Sequence, residues 1–286
     1  MIDDVLAWLW DVVAEPVLAE LGYQAPPADG EPWPRIWWCP VGRIAGLPLH
    51  AAGHHAFGGP GVLDRVVSSY TMTVRTLAYA RRATCGGAAG TIVITEPGGG
   101  DMPYLPGAEA EGREVAKLIP GAHLLEHPDR AAVLDALPSA AVTHFACHGL
   151  VDQIDPGESR LVLRDHQHSP LTVREVSRLR LTDARLAYLS ACATTVTSGD
   201  LADEAVHMTG AFQLAGYQQV IGTLWPIEDT LAQEVARHVY RYLTSDGTRA
   251  PDTARAAEAL HHAVRALRSA RPQDAASWSA YLHMGA

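Results

Sequence analysis

Two apolar runs in this chain each end in a side chain able to do chemistry. "AVTHFACHG" brings His148 to its end, directly before Gly149, and "ARLAYLSACATT" brings Cys192 to its end, 44 positions later. A cysteine attacks a carbonyl as its thiolate, and a nearby imidazole keeps it poised and protonates the leaving amine without any metal. Gly149 lets a backbone N–H approach a substrate closely, and with the N–H of Cys192 it could hold a developing oxyanion. The flanking residues Ala146, Gly149, Ala191 and Ala193 are small, which leaves room for a peptide.

Such a pair needs two neighbouring strands that end at one opening. From residue 91 onward short β-branched runs alternate with amphipathic stretches: strands at 91–95, 122–125, 141–147, 185–191 and 218–224, helices at 107–119, 129–137, 171–179, 203–215, 229–244 and 252–269. A "RLVLRD" hairpin falls between two of them. This alternation specifies an α/β fold, a mostly parallel sheet with helices on both faces. In such sheets reactive groups gather where the carboxyl ends of the strands diverge. Strand alternation turns Cys147 into the core opposite His148, whereas His144 shares the face of His148 at a deeper level, as a core histidine.

Ahead of the glycine-rich junction "TCGGAAG", residues 3–21 predict a helix kinked at Pro16, and "RIWWCPVGRIAGLPLHAAG" predicts a strand, a turn and a second strand. Residues 62–83 favour a helix. The junction marks a seam, giving an N-terminal part at 1–85 and a second part at 86–286.

Bulk composition excludes several functions. The formal net charge of −10 disfavours a nucleic acid partner, which needs clustered Lys and Arg. The one lysine, Lys117, follows no glycine-rich loop, which argues against a P-loop and a Schiff-base lysine. Cys39, Cys85, Cys147 and Cys192 lie far apart with no CxxC spacing, so reduced thiols are expected rather than a disulfide framework. No apolar stretch reaches the length of a bilayer span and no secretion signal is evident, so a cytoplasmic protein off the membrane is expected. His144, His148, His166 and His168 invite a zinc reading, but HxxxH serves a zinc hydrolase on a helix with an intervening Glu, and here it lies on a strand. No cofactor or metal is expected. The loop histidines His50, His54 and His55 match no ligand pattern.

"HFACHG", "LSACATT", "DEAVHMTGAFQLAGYQQVIGTLWPIED" and the early "RIWWCPVGRIAGLPLHAAG" together resemble the CHAT proteases of the caspase and separase clan, over nearly the whole chain. Caspase-like enzymes place the histidine some 50 residues before the cysteine, each at a strand end. The resemblance implies a caspase-like fold with a supporting, pseudo-caspase-like N-terminal half, and a Cys–His dyad of Cys192 and His148 with Gly149 as oxyanion donor. It implies that residues 223–226, Thr223, Leu224, Trp225 and Pro226, form the strand that pairs with an extended protein substrate, with Trp225 walling a side-chain pocket. Asp203 and Glu204 keep two readings: first-turn acids favoured by the helix dipole, or acids of the specificity pocket that select a basic side chain. The family further implies a role in defence or regulated cell death under a sensor or helical-repeat partner. A latent scaffold that binds peptides along the same strand is the alternative.

Overall fold

A computed structural model describes residues 1–82, 90–98, 102–152, 154–190, 192–193 and 202–286; for Arg43, Phe57, Cys192, Ala193 and residues 202–207 it describes the backbone alone. The N-terminal helix runs as α1 (Ile2–Leu9), a π turn (Trp10–Ala14) and α2 (Glu15–Glu20). Pro16 sits in the first turn of α2, and with no N–H to continue the ladder it leaves the widened turn just before it. Next come β1 (Arg35–Trp38), β2 (Val67–Tyr70) and α3 (Val74–Arg82). Then follow β3 (Gly90–Glu96), α4 (Pro106–Leu118), β4 (His123–Glu126), α5 (Arg130–Ala136) and the long β5 (Ala140–Leu150). A hairpin of β6 (Arg160–Leu161) and β7 (Leu171–Thr172) leads to α6 (Val173–Val176), β8 (Leu186–Leu189) and β9 (Cys192–Ala193). The chain continues through α7 (Ala202–Ala215), β10 (Gln219–Thr223), α8 (Asp229–Thr244), α9 (Ala256–Ala270), α10 (Ala275–Trp278) and β11 (Tyr281–Gly285).

Among the described residues eleven strands join in one sheet, eight of them along the path β1-β2-β11-β10-β8-β5-β3-β4. Neighbours along this path are parallel except β10 and β11, which pair antiparallel. The sheet is therefore two parallel blocks of opposite direction. The carboxyl ends of β10, β8, β5, β3 and β4 open on one rim, and those of β1, β2 and β11 open on the other. The seam expected at residue 85 falls outside the described residues, and the strands on its two sides belong to this single sheet.

Each face carries a core. On one, Ile92, Ile94, Phe145, Cys147, Leu189 and Val220 pack against α5, α6 and α7 through Val133, Val176 and Phe212. On the other, Val93, Val142, Tyr188 and Ile221 pack against α4, α8, α9 and α10 through Val115, Val235, Leu260 and Trp278. Both faces being covered explains why β5 is buried from Ala140 to Gly149 and reads as a near-continuous apolar run. The period of two puts His144 and His148 on the second face, the α4 side, and Cys147 in the first core, as the alternation argument requires.

Local chemistry sets the boundaries. Asp129 caps α5 by accepting from the Ala132 N–H at 2.9 Å, and Thr172 with Glu175 forms a capping box at α6. Gly112 lets α4 lie directly on β3: a Cβ there would stand 1.9 Å from Thr95 Cγ2.

Two expectations fail in the N-terminal part. The second run of "RIWWCPVGRIAGLPLHAAG" forms short 3-10 turns at Gly42–Ile44 and Leu49–Ala51 instead of a strand. The strand that pairs with β1 is β2, from the segment read as helix, in which Val62–Asp64 forms a 3-10 turn and Val74–Arg82 the α-helix. The strand β11 was not foreseen. The loop histidines act as tethers: His50 Nδ1 lies 2.8 Å from Tyr70 Oη, His54 Nε2 lies 2.8 Å from Asp11 Oδ1, and His55 Nε2 lies 2.8 Å from the Ala51 carbonyl.

Candidate active site

The site is built where β5 outruns its sheet neighbours. β3 pairs with β5 as far as Cys147, and β8 as far as Phe145. Beyond them the last residues of β5 gain new partners, β6 on the hairpin side and β9. In that extension His148 is in register with Cys192 and Gly149 with Ala193, on parallel strands. Residues paired in register on adjacent strands share a face of the sheet about 4.8 Å apart. The backbone thus sets Cys192 in register beside His148.

His148 is buried, 1% exposed, and its Nε2 lies 2.7 Å from the Pro103 carbonyl oxygen. A carbonyl only accepts, so Nε2 carries the proton of that bond, and in the neutral ring Nδ1 is the acceptor nitrogen. Pro103 is itself fixed. The Leu105 N–H donates to the Pro97 carbonyl at 2.6 Å, and α4 starts at Pro106. On the other flank, the Val162 N–H donates to the His148 carbonyl at 2.9 Å, holding the strand end to the hairpin. Imidazole, orienting carbonyl and a strand end pinned on both edges make an arrangement suited to shuttling one proton.

The remaining expected residues divide. Thr223 ends β10 half-buried and in register with Tyr281 of β11. The Leu224 side chain lies in the first core, 3% exposed, and its N–H donates to the Ala280 carbonyl at 2.8 Å, so neither its side chain nor its N–H faces a peptide. Trp225 is half-buried against both cores, its indole N–H donating to the Ala276 carbonyl at 2.8 Å, and Pro226 is exposed. The register of β10 with β8 stops at Ile221. Past it, the β8-side edge of residues 222–226 has no strand partner among the described residues. Asp203 and Glu204 lie near the start of α7, and their side chains fall outside the described residues, as do residues 191 and 194–201 beside Cys192. Among the described residues no three His, Cys, Asp or Glu side chains are grouped to hold a metal ion. His166 is buried and His168 exposed.

Sequence reasoning missed two buried acids at this rim. Glu96, at the end of β3, is 1% exposed; its Oε1 accepts from the Gly98 N–H at 3.2 Å and lies 3.5 Å from His127 Nδ1. Glu111, on α4, is 2% exposed beneath the site; its Oε2 accepts from Ser190 Oγ at 2.9 Å and its Oε1 lies 3.1 Å from His144 Nε2. The signal for Glu111 was present. It falls three residues after Ala108 and four before Val115, on the apolar stripe of its helix.

Comparison with known proteins places this geometry. The fold matches the Saccharomyces cerevisiae separase–securin complex with a TM-score of 0.53 at 13% identity, covering 84% of this chain and 14% of that one. It matches the Arg-specific cysteine proteinase gingipain R with a TM-score of 0.57 at 10% identity, covering 99% and 73%. A complex of Porphyromonas gingivalis RgpB pro- and mature domains matches at 0.55 and 12% identity, covering 99% and 75%. The chain thus spans a small part of the separase and most of the gingipain, and at these identities the likeness is one of fold: a caspase-like protease fold. No curated protein matches the sequence. The CHAT domain model matches residues 3–286, and by that match the chain belongs to the CHAT domain family.

Proposed function

We propose that the protein is a caspase-like cysteine endopeptidase whose dyad is Cys192 and His148. The observation that carries this reading is the in-register pairing of those two residues at the extended end of β5. The Cys192 thiolate adds to the scissile carbonyl carbon, forming a C–S bond and a tetrahedral oxyanion that the Gly149 and Cys192 N–H groups stabilise. As the C–N bond breaks, His148 gives its proton to the departing amine. Water then adds to the thioester, passing a proton back to His148, and the thiolate leaves. Pro103 keeps the imidazole oriented through both halves.

The substrate is a protein or peptide, laid along the free edge of residues 222–226 with Trp225 and Pro226 at its side. Asp203 and Glu204 either serve the α7 dipole or select a basic residue before the scissile bond. Residues 1–85 act as the supporting part and 86–286 as the protease part. Family membership supports a cytoplasmic role in defence or regulated cell death, under a sensor or helical-repeat partner. Among the described residues no helix is long and apolar enough to cross a membrane.

One observation favours a second reading, a latent scaffold: His148 is 1% exposed, closed in beneath the segment that carries Pro103. A peptide-library cleavage profile separates the two, with Cys192→Ala as control. Cleavage lost in Cys192→Ala supports the endopeptidase and reports the preferred residue. Cleavage that survives Cys192→Ala in a clean preparation refutes the dyad, and no cleavage by either protein supports the scaffold.

A further inference from the structure

We infer that Glu111 is a positioning residue, tying the β8 strand end that leads to Cys192 to the β5 strand that carries His148. The inference rests on the endopeptidase reading for its purpose and on buried geometry for its substance. Ser190 lies two residues before Cys192, and His144 lies four residues before His148 on the same face. One carboxylate touches both: Oε2 accepts from Ser190 Oγ at 2.9 Å, and Oε1 lies 3.1 Å from His144 Nε2.

The chain of groups continues inward. His144 Nδ1 lies 3.3 Å from Tyr240 Oη, and the imidazole packs against the rings of Tyr188 and Tyr240, with centroids 5.0 and 5.5 Å away. A carboxylate only accepts, so the Ser190 hydroxyl donates to it, while His144 Nε2 meets Oε1 as a close polar contact and not as an aligned hydrogen bond. Glu111, His144, Tyr188 and Tyr240 are all at most 2% exposed. The packing face of α4 holds Ala108, Gly112 and Val115 beside Glu111. Well-packed apolar residues in place of the whole cluster of Glu111, His144 and Ser190 would be as stable or more so, because a buried charge is costly to desolvate, whereas loss of Glu111 alone leaves its buried polar neighbours unpartnered. The carboxylate is therefore explained better by what it fixes than by what it stabilises.

What it fixes is Ser190, the last described residue before β9. Ser190 is held twice, its N–H donating to the Phe145 carbonyl at 2.9 Å and its hydroxyl to Glu111. From that anchor, two residues of chain set where Cys192 falls in register with His148.

The test uses the full chain and three variants. Ser190→Ala cuts the tether and leaves Glu111 against His144; Glu111→Leu replaces the charge with an apolar side chain; Glu111→Gln keeps an oxygen for the Ser190 hydroxyl. Amide exchange of residues 186–193 is followed by mass spectrometry, together with the rate of iodoacetamide labelling at Cys192 and the melting temperature. A hydrogen bond to a charged group is worth a factor of at least about ten. Ser190→Ala and Glu111→Leu are expected to speed exchange in this segment and slow labelling by about that factor, whereas exchange in strands away from the tether changes only as the lowered melting temperature requires. Glu111→Gln recovers part of both. Wild-type exchange and labelling in Ser190→Ala overturn the assignment, and this variant decides the matter alone if Glu111→Leu does not fold. Faster exchange in Ser190→Ala with wild-type Cys192 no more reactive than Cys39 upholds the tether and defeats the endopeptidase reading instead.

Discussion

Acidification should unfold this protein well before its carboxylates titrate, because three histidines are buried in neutral form. His50, His261 and His283 line one small cavity between β2, β11 and α9. Burial pushes His50 down to about 4 and His261 to about 3, with Arg265 adding to the latter, and burial holds His283 well below the ordinary value of 6.5. His283 is held neutral between Ser69 Oγ at 2.9 Å and Gln219 Oε1 at 2.8 Å. Below pH 6.5 the unfolded chain binds protons at these sites and the folded chain does not, so stability falls as pH drops. The loss levels off only near each folded value. At pH 5 His50 and His261 cost about 2 kcal/mol each, about 4 kcal/mol together, and His283 adds to the loss in the same direction. That is comparable to the lower end of the whole stability of a typical domain, roughly 5–15 kcal/mol. Asp64, whose carboxyl the Arg268 guanidinium holds low against the opposing effect of burial, loses its contribution only below about pH 4 and so does not compete in this window. Urea unfolding at pH 7, 6 and 5 measures the slope. His261→Phe, which keeps a ring beside Trp33 at the present 4.6 Å stacking position, should reduce the loss between pH 7 and 5 by about 2 kcal/mol. A stability that is flat over this range, or an equal loss in wild type and His261→Phe, would refute the reasoning.

Other outcomes follow from packing and hydrogen bonding. Gly112→Val drives a side chain into Thr95 and should cost at least 1–3 kcal/mol in chemical denaturation, with Thr95→Ala recovering part of it. Thr143→Val leaves the buried Tyr217 hydroxyl without its 2.7 Å partner and should cost about 1–3 kcal/mol, while adding Tyr217→Phe should return most of it. Asp129→Ala removes the α5 cap and should lower stability by about 1 kcal/mol, its exposed Arg164 bridge contributing little.

The second part of the chain was legible because its strands are buried on both faces and its helices are amphipathic, so the two periods stand apart in the sequence. Residues 141–147 read as a strand for this reason, and the alternation there also separated Cys147 from His148. The N-terminal part was harder because its strands bury polar groups. In β2, Ser69 is fully buried yet satisfied by Arg35 and His283, so "VSSY" gives no apolar alternation to read. His283 hides β11 in the same way. The pairing of β2 with β1 and β11 depends on contacts distant in sequence, which no local pattern encodes. That His148 and Cys192 fall at neighbouring strand ends was legible, whereas the Pro103 carbonyl beside His148 was not: a main-chain acceptor carries no residue signature. The burial of the Leu224 side chain was not legible, because the run "TLWP" does not show where the strand stops and the core begins.

The central claim is that Cys192 is activated by the imidazole beside it, and labelling against pH tests it most directly. The rate of iodoacetamide alkylation at Cys192 is measured from pH 5 to 9 in wild type and in His148→Ala. The account predicts rapid labelling in wild type that persists well below the ordinary thiol value of about 8.5, and a curve displaced up to that value in His148→Ala. Superimposable curves in the two proteins would contradict it.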